Sequence, residues 1–300
     1  MAAREAATAR LPVAGVFAAL AAVVIGAGWH VATRLGVTTS LHPVDLALLR
    51  YGVPALIMLP VLLKTGLLPK GAPRGWLALV VVGAGLPFGL LAMAGSQFAP
   101  VAHMGIIIPG GMALAVAFLT WRLMGERFST LRLTGLGLLT LAILLLGIGS
   151  FANVTGRTLI GDLMFLAGAT LWAGYTIAFR KCGLNPIQGA ALISAWSLIM
   201  VAPIWLLTPG VKLLQAPLWD VGIQFLWQSI LAGVVAVWAY GFAVRSIGPA
   251  NGAAIGALLP AVSSFGGLMV LGEAIPTTTA IAIVLAVGGV LLSTGYLERN

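Results

Sequence analysis

Charge is what this sequence has least of. Only 8% of its 300 residues are charged, while 60% are hydrophobic; an average soluble protein carries roughly a quarter charged residues. So few polar groups cannot cover the surface of a globular domain, which places the chain among integral membrane proteins. Acids are scarcer than bases, 7 against 16, for a formal charge of +9. The cations punctuate apolar runs and do not gather with aromatics into a patch, so nucleic acid is not the expected partner. The one cysteine, Cys182, excludes an intramolecular disulfide. Without C-x-x-C or Cys/His spacing, neither a metal nor another cofactor is expected.

What is abundant is apolar length. A helix needs about 20 apolar residues to cross the hydrocarbon core. Runs of that kind lie near 11–33, 44–63, 76–97, 101–121, 131–150, 158–179, 187–208, 221–244, 250–272 and 277–297. The expectation is an all-α integral membrane fold of ten transmembrane helices. The basic start MAAREAATARLP precedes a long apolar run without a clean cleavage site, which reads as a first span and not a removed signal.

The chain also repeats itself. GAGWHVATRLG, Gly26 to Gly36, returns as WAGYTIAFRKCG, Trp172 to Gly183, pairing Gly28 with Gly174 and Arg34 with Arg180 at an offset of 146. Gly125-Glu126 and Gly272-Glu273 stand 147 apart, and Pro100 and Pro249 stand 149 apart. Two five-helix halves, 1–153 and 154–300, follow from that offset. With the N-terminus in the cytoplasm, 12 of the 16 cations fall on the cytoplasmic side, so both termini are expected there. Because five is odd, the halves are inverted relative to each other, and their interface is where secondary carriers place substrate.

Five plus five spans, a proline at the start of spans four and nine and a Gly-Glu after each resemble the drug/metabolite transporter superfamily, EamA type. GWHVATRLG and LMFLAGATLWAGYTIAFRK are similar to its bacterial aromatic amino-acid exporter subgroup. That resemblance implies a bundle around a central cavity in the bacterial inner membrane, exporting amino acids or other small metabolites. Pro109 and Pro260 depart from the pattern, standing 151 apart, about one helical turn off the repeat.

Candidate substrate-binding residues are the aromatic and polar side chains inside spans. Trp29, Trp172, Tyr175, Trp238 and Tyr240 either pack in the core or lipid, or line a cavity suited to flat apolar side chains or cations. Trp172 and Tyr175 share a helical face. His30, His103 and Asn251 either satisfy backbone groups or meet the polar end of an amino acid. Pro87, Pro109 and Pro260, each with glycines near, serve tight packing or gating kinks. Arg50, within span two, either snorkels or pairs with Asp45, or binds a substrate carboxylate. No acid sits at the middle of a span, which favours facilitated movement over coupling to protons or sodium.

An enzyme is not expected: there is no G-x-S-x-G, no H-E-x-x-H and no pair of acids at depth. The reading is an exporter of apolar and aromatic amino acids working by alternating access. The alternative is export of cationic drugs or other small metabolites. The bilayer is the other partner. Nothing in the sequence sets an oligomeric state, and a monomer is compatible with it.

Overall fold

A computed structural model describes residues 12–152 and 156–294, and every regular element among them is helical. In order these are α1 (Val13–Thr38), α2 (Pro43–Ile57), α3 (Leu59–Thr65), α4 (Arg74–Ala84), α5 (Leu86–Gly95), α6 (Val101–Met124), α7 (Thr130–Ala152), α8 (Arg157–Cys182), α9 (Pro186–Leu207) and α10 (Leu218–Gln224). A π-helical segment (Phe225–Val235) follows, then α11 (Ala236–Gly256), α12 (Leu259–Leu271) and α13 (Thr277–Ser293).

Apolar helices lie along the expected runs, but they are not ten equal spans. Among the described residues eight helices are long and apolar enough to cross a membrane. A ninth is the pair α2–α3, bent by 68° at Met58, and α13 is shorter at 17 residues. The bend follows Pro54, whose missing N–H cannot bond back along the helix, and Pro60 starts α3. The outer surface is apolar, as lipid requires: Leu63 is 77% exposed and Val284 72%.

The packing is symmetric under exchange of halves. α1 packs on α11 and α12 of the second half, while its repeat α8 packs on α4, α5 and α6 of the first. The equivalent helices α2 and α9 pair with each other, as do α7 and α13. The α7–α13 seam is built from small residues: a side chain on Gly135 would meet the backbone of Gly289 and Ser293, and Ala142, Ala282 and Ala286 are fully buried. In lipid no hydrophobic drive brings helices together, so close backbone approach of this kind supplies the contact.

The repeated Gly-Glu pairs have a local cause. Gly125 and Gly272 both end helices in the left-handed conformation, with φ of 65°. The following glutamate N–H bonds back six residues, Glu126 to the Thr120 carbonyl and Glu273 to the Gly267 carbonyl. This is the glycine cap that satisfies the last carbonyls of a helix. It also throws each carboxylate sideways at the helix end. The α6 helix, at 24 residues about 36 Å long, separates the two ends of the bundle. Glu273 meets its first residue and Glu126 follows its last.

Candidate functional site

The centre of the bundle is organised around Trp29. Its neighbour Gly28 leaves room for the Trp227 ring, which any Cβ there would strike. That approach brings α1 against the π-helical segment, whose wider turns place Gln228 and Ser229 inward; π segments recur at functional sites. Trp29 Nε1 donates to Gln228 Oε1 at 2.7 Å, and Gln228 Nε2 donates to Thr33 Oγ1 at 3.0 Å. Gln224 Nε2 donates to the Ala32 carbonyl at 2.7 Å, and Ser229 Oγ to the Leu49 carbonyl at 2.7 Å. Gln228 and Ser229 therefore join helices, with no buried polar atom of either left over for a ligand.

From Trp29 a run of rings crosses from one half to the other. Ring centroids stand 6.3 Å apart for Trp29 and Phe88, 4.6 Å for Phe88 and Trp172, 5.4 Å for Trp172 and Tyr175, and 5.5 Å for Tyr175 and Phe179. The Phe88–Trp172 and Trp172–Tyr175 pairs are edge-to-face, the arrangement the ring quadrupoles favour. Trp172 and Tyr175 keep part of their surface accessible, whereas Phe88 is buried.

Arg50 lies over this run. Its guanidinium carbon stands 4.6 Å from the centroid of the Trp29 ring, a cation–π contact. The guanidinium meets the Tyr51 side chain, yet Nε and Nη1 are enclosed without a hydrogen-bond partner. Asp45 does not pair with it. The Asp45 carboxylate accepts from Trp205 Nε1 at 2.7 Å and from the backbone amides of His42 and Lys212, both at 2.9 Å. His30 Nδ1 stands 2.9 Å from Ser263 Oγ on α12, and its ring centroid is 5.3 Å from that of Trp29.

The two ends of the bundle differ. At the first, Arg34 Nε donates to Glu273 Oε1 at 2.9 Å while Nη1 reaches the Ser96 carbonyl. Glu273 Oε2 accepts the Val101 amide at 2.8 Å. Near it, His103 Nδ1 stands 2.7 Å from Asp162 Oδ1, and Asp162 Oδ2 accepts from Ser150 Oγ at 2.6 Å. A cavity of about 280 Å³ lies beside His103, between Pro100, Leu146 and Thr279.

At the second end, Glu126 accepts from Arg132 Nη1 at 2.9 Å, and Arg180 is exposed. Partial burial pushes the Glu126 carboxyl up, but hydrogen bonds from Arg132 and Thr120 and the charges of Arg132 and Arg180 outweigh it and hold it below the usual carboxylate range. The larger cavity, about 670 Å³, opens at this end between Met58, Lys64, Gln188, Val234, Trp238 and Arg245. It lies away from the aromatic run, and no ring of that run lines it.

Of the residues expected at a site, Trp29, His30, Trp172 and Tyr175 come together at the junction of the halves. His103 belongs to the Asp162 pair at the first end. Trp238 lines the larger cavity and is 65% exposed, and Tyr240 is half exposed on the exterior of α11. Asn251 Nδ2 donates at 2.6 Å to the Ile247 carbonyl, one turn back on its own helix, next to the non-helical Gly248. Pro87 and Pro260 begin helical segments after breaks at Gly85 and at Ala257–Leu258, while α6 runs through Pro109 as one helix. Phe88, the ring that connects Trp29 to Trp172, was not among the expected residues; its signal was its place directly after Pro87 in LPFG.

Comparison with known proteins agrees with this architecture. No curated protein matches the chain by sequence. A solved crystal structure at 20% identity covers 95% of this chain and 98% of its own, with a TM-score of 0.60, which shows a shared fold. The model of the EamA-like transporter family matches twice, over residues 13–148 and 159–295. With two such repeats spanning nearly its whole length, the chain belongs to the EamA-like transporter family, whose members carry small substrates across membranes and are not enzymes.

Proposed function

We propose that this carrier exports apolar and aromatic amino acids from the cytoplasm across the bacterial inner membrane. The observation that supports this most is the run Trp29–Phe88–Trp172–Tyr175, contributed by both halves, with accessible ring surface on Trp172 and Tyr175. A flat apolar side chain gains both burial and edge or face contacts there. Cationic drugs fit less well, because the charged group at these rings is the Arg50 guanidinium and no carboxylate among the described residues meets it.

The cation bias supports a reading with both termini and the Arg180 end in the cytoplasm and the Glu273 end outside. Substrate enters from the Arg180 end while Arg34 and Glu273 hold the outer end shut, and rocking of the halves then exchanges the two. No acid among the described residues meets the aromatic run, so movement down a gradient is the expected mode. The domain division at 153/154 separates the two rocking halves.

The test is flux of labelled Trp and Phe into proteoliposomes of the purified protein, with and without a pH gradient. Saturable flux that needs no gradient, and a loss of at least about tenfold in Trp172→Ala with binding contacts removed, is the expected result. Absence of amino-acid flux in folded protein under both conditions would reject the substrate class. Flux only under a proton gradient would reject the facilitative mode and direct attention to His103 and Asp162.

A further inference from the structure

We infer that Arg50 is a carboxylate-binding subsite, and that the substrates therefore include apolar organic acids that lack an amino group. The inference rests on the aromatic run being the substrate site and extends it to the charged end of the ligand.

A guanidinium inside a membrane bundle is costly and is retained where it has a partner or a task. Arg50 sits at the midpoint of α2, seven residues from either end. Among the described residues the protein supplies it with a ring face and one tyrosine, but with no anion. Each acid that could have served is committed elsewhere: Asp45 to Trp205, His42 and Lys212, Asp162 to His103 and Ser150, Glu273 to Arg34 and Val101, and Glu126 to Arg132. Asp220 lies in the first turn of α10, outside this cluster.

Stacking on Trp29 sets the guanidinium plane, and Nε and Nη1, on different edges of it, are both left without a partner. A guanidinium with free N–H groups takes an anion through charge-assisted hydrogen bonds, and the anionic end of an amino acid is its carboxylate. The residue keeps some accessible surface although those two nitrogens are enclosed. The rings that continue from Trp29 through Phe88 to Trp172 give the ligand's apolar part a surface beginning where the carboxylate is held.

The same neighbourhood offers little to an ammonium group. Its nearest charge is Arg50 itself, His30 is engaged with Ser263, and the amide oxygens of Gln224 and Gln228 already accept hydrogen bonds. Recognition is thus one-sided: carboxylate plus ring suffices, and the amino group is tolerated.

The experiment is calorimetric binding to the purified wild-type protein in detergent micelles, using phenylalanine, phenylalaninamide, phenethylamine and 3-phenylpropionate. Phenylpropionate is expected to bind within a few-fold of phenylalanine, and the amide and amine at least about tenfold more weakly, the worth of one charge-assisted hydrogen-bond pair. Arg50→Gln should erase that preference and Arg50→Lys should keep part of it. Equal binding of all four ligands would overturn the subsite while leaving amino-acid export standing. Binding of phenylpropionate without phenylalanine would uphold the subsite and reject amino acids as substrates. Competition by chloride as strong as by phenylpropionate would overturn the carboxylate assignment in favour of a simple anion. No binding of any of the four to folded protein would overturn both readings.

Discussion

Arg34 and Arg180 end the two copies of one repeated helix, yet their surroundings are opposite. Around Arg34, a carboxylate just past the end of α12, the amide that starts α6 and the carbonyl that follows α5 are drawn onto one cluster joining the halves. Around Arg180, the equivalent carboxylate, Glu126, is held six residues away by Arg132, within its own half. The second half has no cation at the position matching Arg132; Thr279 stands there at an offset of 147. One end is thus tied across the halves by an ion pair, while at the other the pair stays within one half. The larger cavity lies at that second end.

The largest effect should come from removing that difference at the closed end. Arg34→Ala leaves Glu273 without its cation in a half-buried setting, a loss of about 3 kcal/mol, so flux should fall at least about tenfold. An impermeant thiol reagent should label a cysteine placed at Ala274 faster in the same background, with Cys182→Ser removing the native thiol. If labelling and flux both stay unchanged, the Arg34 cluster does not hold that end. Arg132→Ala should act in the opposite sense at the other end. Freed from Arg132, Glu126 becomes available to Arg180, and labelling at Gln188→Cys should slow about threefold, a surface ion pair being worth under 1 kcal/mol.

Two smaller effects sharpen the comparison. Tyr240→Leu, on the exterior of α11, should leave flux within about twofold of wild type, as surface substitutions do. Lowering pH should leave the Glu126–Arg132 pair intact through the weakly acidic range. A carboxyl held below its usual 4.5 contributes its pairing fully above that value and loses it only as pH falls through the lower folded one. Labelling at Gln188→Cys should therefore be the same at pH 7 and pH 5.5; a pronounced difference would mean that another group sets the state of that end.

Span positions were legible from apolar length, and the repeat from Arg34/Arg180 and the Gly-Glu pairs, because capping and charge leave marks at fixed spacing. The packing partners were not. Nothing local tells α1 to lie on α11, and Gly28 reads as one glycine among 39 until Trp227 is seen against it. Within the site, Trp172 and Tyr175 were found by sharing a helical face, which is a short-range property. Phe88 and the commitments of Asp45 depend on contacts across the bundle, so the alternatives for Arg50 stayed open until Asp45 was placed with Trp205 and Lys212. Asn251 and His103 stood together as candidates for the polar end of an amino acid, yet one returns to its own helix and the other meets Asp162.

If the ends open in turn, the Arg34–Glu273 cluster is what holds one of them. The most direct test is a reversible cross-link between Arg34→Cys and Glu273→Cys in the Cys182→Ser background, formed with a bifunctional methanethiosulfonate reagent in proteoliposomes. Complete cross-linking should reduce flux at least about tenfold, and reduction should restore it to the level of the uncross-linked double variant. Flux that persists unchanged with the cross-link complete would contradict the account.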